Sequence, residues 1–292
     1  MNGPTAPAAA TGPQWGASGV TVVFGKGSAQ VTALSEVSFP VPRGQVAAVV
    51  GGDGAGKTTL LRTLVSRVGP VSGTVSAPPQ RQCAFMPTGA SGVWVDLSVE
   101  ENLNFVGAAY GLTGPDLEQR KARLLETADL AKARDRLAGR LSGGMRQKLA
   151  FCMAMLHEPD LLVLDEPSTG VDPVSRVDLW RLISHAAAQG AAVAMATTYL
   201  DEAERASTVL VLDDGHVLAQ GTPSEVLAAT PGVITTGTAP AGDPDLSWRR
   251  GRAVHSWHPG PARPGENALT PDMEDSVIAA TLARHTTAGG VT

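Results

Sequence analysis

The chain has 292 residues and a net charge of −5. That length can bury a sizeable core in one or two domains, and the acidic balance excludes a broad nucleic-acid footprint. Its two cysteines, Cys83 and Cys152, stand far apart in no metal-ligand spacing, which fits a reducing compartment. No apolar run approaches the roughly 18 residues of a membrane span, and the Ala/Pro/Gly/Thr start lacks the basic residues of a signal peptide. The expectation is a cytosolic protein, or one peripheral to a membrane through a partner.

Residues 1–16, rich in Pro, Gly and Ala, read as disordered. Val20 to Phe24 and the alternating Val37, Phe39, Val41 read as strands. Phe24 precedes a Gly-rich turn, where its ring can stack on an adenine or serve as a core or hairpin anchor. Val46 to Val50 is a continuous apolar run, the mark of a buried parallel strand.

Then comes Gly51-Gly52-Asp53-Gly54-Ala55-Gly56-Lys57-Thr58-Thr59, which fits the P-loop pattern G-x-x-x-x-G-K-[ST]. Leu60, Leu61, Leu64 and Val65 follow at helical spacing, so the motif has its required strand–loop–helix context. The glycines let backbone N–H groups curl around a phosphate, and the helix start adds a favourable dipole. Lys57 can reach β- and γ-phosphates, and the Thr58 hydroxyl can ligand Mg²⁺.

Cys83 to Met86 reads as a short strand, and Pro87 to Gly92 as a loop. Ser98-Val99-Glu100-Glu101 is a capping box, and Pro115 opens a second helix through Leu117, Leu124, Leu125 and Ala128. Residues 88–157 form a helical subdomain inserted in an α/β core. Leu141-Ser142-Gly143-Gly144-Met145 leads into an apolar helix; its serine and free N–H groups offer a second anion site or an ordinary N-cap.

Leu161 to Leu164 is a buried strand ending in Asp165-Glu166. Beside a P-loop, Asp165 can hold Mg²⁺ and Glu166 can orient and polarise an attacking water; the pair also fits a plain acidic helix start. A helix over 174–188, a buried strand over 191–196, a short acidic helix over 199–206 and a hairpin around Asp213-Asp214-Gly215 follow. Thr222-Pro223-Ser224-Glu225 is a second capping box. From about 231 the composition shifts to Pro, Gly, Trp and Arg, and Trp248, Arg249, Arg250 and Arg252 read as part of a solvated linker. Met273 to Leu282 is a candidate terminal helix.

The order and spacing of Gly51–Thr58, Leu141–Met145 and Leu161–Glu166 resemble the ATP-binding subunit of ABC transporters, over residues 17–230. The resemblance implies an α/β fold: a P-loop NTPase ABC-ATPase core with an antiparallel β subdomain and an inserted α-helical subdomain. It implies ATP and Mg²⁺ as cofactors. It also implies a head-to-tail dimer, with itself or a second ATP-binding subunit, in which the P-loop of one subunit and the LSGGM stretch of the other grip each ATP. In that family Phe24 matches the adenine-stacking aromatic and Asp172 the aspartate of the interface-crossing loop. Ser168 to Pro173 and Asp201-Glu202-Ala203-Glu204 look like the branch that works with ABC-2-type transmembrane permeases, on the cytoplasmic face of the membrane, in export of drugs, antibiotics or lipids.

Two positions depart from the family pattern. Thr88 stands where a Mg²⁺-sensing glutamine is usual, and Thr198 where a γ-phosphate-contacting histidine is usual. The lost histidine and Met273–Ile278 resemble the N-terminal half of tandem export ATPases. Slow turnover at this chain's own P-loop, beside a complete partner, is the expectation that follows. The alternatives are a regulatory ATP-binding subunit with little hydrolysis and a soluble non-transport ABC ATPase.

Overall fold

The computed structural model describes residues 14–263 and 265–289. Residues 1–13, most of the segment expected to be disordered, lie outside them. The chain forms two compact units, 1–47 with 58–197, and 48–57 with 198–292.

The first unit opens with β1 (Trp15–Phe24) and β2 (Val31–Val41), an antiparallel pair. Trp15 and Gly16 therefore belong to a strand, not to a disordered start. Gly16 is required there: at φ 140° a Cβ would lie 2.3 Å from the Phe39 carbonyl oxygen. The division between units falls inside β3 (Val46–Val50), every residue of which is buried. After α1 (Lys57–Leu64), β4 (Ser72–Ser76) completes a three-stranded sheet in the order β2-β1-β4.

β5 (Cys83–Met86) leads into three helices, α2 (Val99–Ala109), α3 (Gly114–Thr127) and α4 (Gly143–Met155). Ser98 caps α2 reciprocally: its hydroxyl accepts from Glu101 N at 3.1 Å while Ser98 N donates to the Glu101 carboxylate at 2.7 Å. The fully buried Lys121 meets Glu100, Glu118 and the Asn104 amide oxygen, the last at 2.6 Å. Arg134 grips Glu100 through two nitrogens, at 2.6 and 2.8 Å. Burial pushes the Glu100 carboxyl up, but the Arg134 and Lys121 hydrogen bonds outweigh it and hold it below the ordinary range.

β6 (Leu161–Asp165), α5 (Pro173–Ala188) and β7 (Ala192–Ala196) follow. Strands β5, β6 and β7 run parallel in that order. β6 and β7 are buried throughout, which is why they read as unbroken apolar runs. Cys83 and Cys152 are both buried and unbridged.

The second unit contains α6 (Leu200–Ala203), shorter than the predicted 199–206, and the hairpin β8 (Thr208–Asp213) and β9 (His216–Gly221). Asp214 and Gly215 turn it, both at positive φ, as a two-residue hairpin with the native twist demands. α7 (Pro223–Ala228) carries the second capping box.

Residues 231–289 are folded rather than a linker. Strands β10 (Val233–Gly237), β11 (Ser247–Arg250), β12 (Ala253–His258) and β13 (Asn267–Ala268) form a sheet in the order β11-β12-β10-β13. α8 (Met273–Gly289) covers it through Ala279 on Ile234 and Trp257, with Leu282 and Trp248 partly buried alongside. Trp248 and Arg250 thus sit in a strand, and Arg250 pairs with Asp272, Glu274 and Asp275.

Candidate functional site

Three stretches carry the chemistry: the glycine loop after β3, the carboxylate tip of β6, and the start of α4. The glycine loop needs its glycines. Gly51, Gly54 and Gly56 have φ of 154°, 82° and 103°, and a Cβ on Gly51 would fall 2.1 Å from the Leu212 carbonyl oxygen. Gly215 N donates to the Ala55 carbonyl at 3.0 Å. Lys57 is only 6 % exposed, and its ammonium donates to the carbonyls of Gly51 and Gly52 at 2.8 and 2.9 Å. The loop thus curls around its own lysine.

In the first unit, the Thr58 hydroxyl donates to Asp165 Oδ1 at 3.0 Å. Asp165 is 3 % exposed at the tip of β6. A hydroxyl and a buried carboxylate in contact are two hard oxygen donors of the kind Mg²⁺ takes. The next residue, Glu166, has φ 49°, a left-handed conformation uncommon outside glycine, asparagine and aspartate. Its N–H donates to the Ala196 carbonyl at 3.0 Å, and Thr169 Oγ1 donates to its Oε2 at 3.1 Å. Strain of this kind collects at functional positions. Thr169 was not singled out by sequence reasoning; only its place in the loop after Asp165-Glu166 hinted at it.

At α4, Ser142 is the N-cap, its hydroxyl accepting from Met145 N at 3.2 Å. Ser142 and Gly143 are exposed, while Leu141 and Gly144 are buried. Gly144 has no room for a side chain: a Cβ would meet Ser175 Oγ at 2.4 Å. Asp172 caps α5 through Oδ1, which accepts from Val174 N and Ser175 N at 3.1 and 3.0 Å. Hydrogen bonds from the Ser175 hydroxyl and these backbone groups hold its carboxyl below the ordinary range. The structure therefore joins Gly144 to the loop of Asp172, as it joins Thr58 to Asp165.

The remaining predicted residues lie at surfaces. Phe24 is 45 % exposed at the end of β1. Thr88 opens an exposed 3-10 turn, and Thr198 is exposed just past β7. Asp53 and Thr59 belong to the loop and to α1, where Thr59 accepts from Thr63 Oγ1 through its carbonyl at 2.8 Å.

One further surface stands out near Thr88. Trp94 and Phe105, 43 % and 53 % exposed, face each other with ring centroids 4.3 Å apart. They border a cleft of about 180 Å³ lined by Met86, Pro87, Trp94, Tyr110, Met153 and His157. His157 stacks on Tyr110 at 3.7 Å, and its Nε2 lies 3.2 Å from the Cys83 carbonyl oxygen. Burial pushes its imidazole below the ordinary value.

A family profile described as "ABC transporter" matches residues 34–169. The chain is 39 % identical over 218 residues to the probable multidrug ABC transporter ATP-binding protein YbhF of Escherichia coli, covering 71 % of this chain and 38 % of that protein. It is 36 % identical over 228 residues to the Nod factor export ATP-binding protein I of Ralstonia nicotianae, covering 74 % and 71 %. A solved structure of an ATP-binding subunit of an ABC transporter superposes with a TM-score of 0.65 at 30 % identity, covering 74 % of this chain and 92 % of that one. The chain thus spans well under half the length of YbhF and most of the other two.

Proposed function

Since this chain belongs to the ABC transporter family as an ATP-binding protein, we propose that it binds and hydrolyses ATP to drive export through a separate membrane permease. The observation that carries this reading is the contact between Thr58 and Asp165 directly after the glycine loop. It presents two oxygen donors for Mg²⁺ beside a loop built for phosphate. Thr58 and Asp165 would hold the ion, which when bound neutralises charge on the phosphates.

The chain's own residues do the rest. Backbone N–H groups of Gly51 to Lys57 bind the phosphates, and the Lys57 ammonium exchanges its loop carbonyls for phosphate oxygens. Glu166, steered by Thr169, accepts a hydrogen bond from the attacking water and takes its proton. Phe24 stacks on the adenine. Ser142 to Met145 serve an ATP held by a second subunit, which gives a dimer of this chain with itself or with another ATP-binding subunit. Asp172 lies along that interface.

The exposed Trp94–Phe105 pair and its cleft support the permease: a soluble monomer has no use for two large aromatic side chains bared side by side. The names of the relatives support export, and an ABC-2-like permease places the chain on the cytoplasmic face of the membrane. Thr88 and Thr198 favour a second reading, a subunit that binds ATP but turns it over slowly beside a complete partner.

The test is Mg-ATP turnover by the purified chain beside Glu166→Gln. The expected outcome is turnover that falls about 10²- to 10³-fold in the variant, the usual contribution of a general base, with ATP affinity kept. Equal rates in both proteins would remove Glu166 from the chemistry; binding without turnover in either would favour the second reading.

A further inference from the structure

Within the second unit the glycine loop leans on the β8–β9 turn at two points. Gly51 packs against the Leu212 carbonyl so closely that no Cβ fits, and Gly215 N–H donates to the Ala55 carbonyl at 3.0 Å. The same turn is gripped from its other side by α8. Arg284 Nη1 donates to the Asp213 carbonyl at 2.6 Å and to Asp213 Oδ2 at 2.7 Å. Arg284 Nη2 lies 3.5 Å from Asp214 Oδ2, and His285 Nε2 lies 3.1 Å from Asp213 Oδ2. The Asp213 carboxylate and the Arg284 guanidinium are both partly buried, so the pair is shielded from water.

We infer that Arg284 of the C-terminal helix α8 is a positioning residue for nucleotide binding, acting on the glycine loop through Asp213–Gly215. The peptide bond supplies the lever. The Ala55 carbonyl and the Gly56 N–H belong to one planar trans peptide and point in opposite directions. Holding the carbonyl on Gly215 therefore fixes where the Gly56 N–H aims, and that N–H is one of the donors offered to a phosphate. Gly215 and Asp214 both sit at positive φ in a two-residue turn, a geometry with few alternatives. Pinning Asp213 by main chain and side chain together sets the direction of the Gly215 N–H. A guanidinium suits this task because its planar fork reaches two acceptors at once. The inference rests on the reading of residues 51–58 as a phosphate-binding loop.

The experiment compares the full-length chain with Arg284→Ala and Arg284→Lys by backbone amide exchange without nucleotide and by Mg-ATP titration. In Arg284→Ala, exchange over residues 51–57 and 213–215 should rise about 10-fold, because the local opening energy falls. The Kd for Mg-ATP should rise about 3- to 10-fold, the worth of one lost charged hydrogen bond, with kcat at saturating ATP within about twofold. Arg284→Lys should restore at least half of the affinity, which a merely structural defect in α8 would not allow. Faster exchange in α8 and the turn with an unchanged loop and an unchanged Kd would overturn the inference. Should Arg284→Ala not fold, Asp213→Asn is read in the same way: a faster loop supports the inference and an unchanged loop overturns it. A wild-type chain that binds no ATP would sink the nucleotide reading, while loop exchange would still decide whether α8 acts on the loop.

Discussion

The polar groups of the glycine loop and of the α4 start are set in opposite ways. Lys57 and Asp165 are buried and already bonded, one to loop carbonyls and the other to the Thr58 hydroxyl. Ser142 and Gly143 face solvent, and the Ser142 hydroxyl caps Met145 of its own helix. The first set is an interior organised in advance, able to exchange protein oxygens for ligand oxygens with little rearrangement. The second is a half-site: the first N–H groups of a helix lack intrahelical partners, and here they open outward. A chain that carries one closed and one open anion site is suited to meeting a second chain.

The largest way to break this contrast is Lys57→Ala. It should weaken Mg-ATP binding by about 10²-fold or more, the worth of two charged hydrogen bonds, in a titration with a fluorescent ATP analogue. Binding within threefold of wild type would deny the loop its role. Next comes Gly144→Val, which drives a side chain into Ser175 at the start of α5. Overpacking of this kind costs about 1–3 kcal/mol. ATP-dependent pairing of the chain, followed by light scattering in a Glu166→Gln background, should be lost while the separate chain still binds ATP. Weakening of both together would mean that the two ends are not independent.

Thr198→His sharpens the contrast from the other side. Restoring an imidazole donor should raise turnover about 10-fold, a fraction of what a transition-state donor contributes; unchanged turnover would mean that Thr198 does not limit the rate. The smallest effect concerns the cleft. Burial depresses His157, so the folded chain prefers its neutral form. The stability it contributes is present above the ordinary imidazole value of about 6.5 and is lost as pH falls through the lower folded value. His157→Phe, which keeps the stack on Tyr110 and removes the titration, should flatten melting temperature against pH between about 5 and 6.5. Parallel curves for the two proteins would place the proton elsewhere.

Much of the site was legible because its chemistry is local. The glycine loop, the apolar run into Asp165 and both capping boxes each depend on a few neighbouring residues, and the structure gives them the predicted contacts. The left-handed backbone at Glu166 was not legible, since nothing in a glutamate announces positive φ. Nor was the order in residues 231–289. Its strands are four to six residues long apart from the two-residue β13, carry Gly, Trp and Arg, and owe their core to α8, which begins 36 residues after Gly237. Trp257 packs under that helix and donates its indole N–H to the Pro231 carbonyl at 2.7 Å. Periodicity within a short window cannot see a face that a distant helix covers.

The burial of both thiols has a practical reach. Cys152 is enclosed enough that its pKa is pushed up to about 12, and burial raises Cys83 as well, so neither is a nucleophile at neutral pH. The wild-type chain is thus a silent background for thiol chemistry. A single cysteine written at the exposed Gly143 would be the only site to take a spin label, a dye or a cross-linker, and the distance between two such labels would report whether chains meet at that surface and how far they part afterwards.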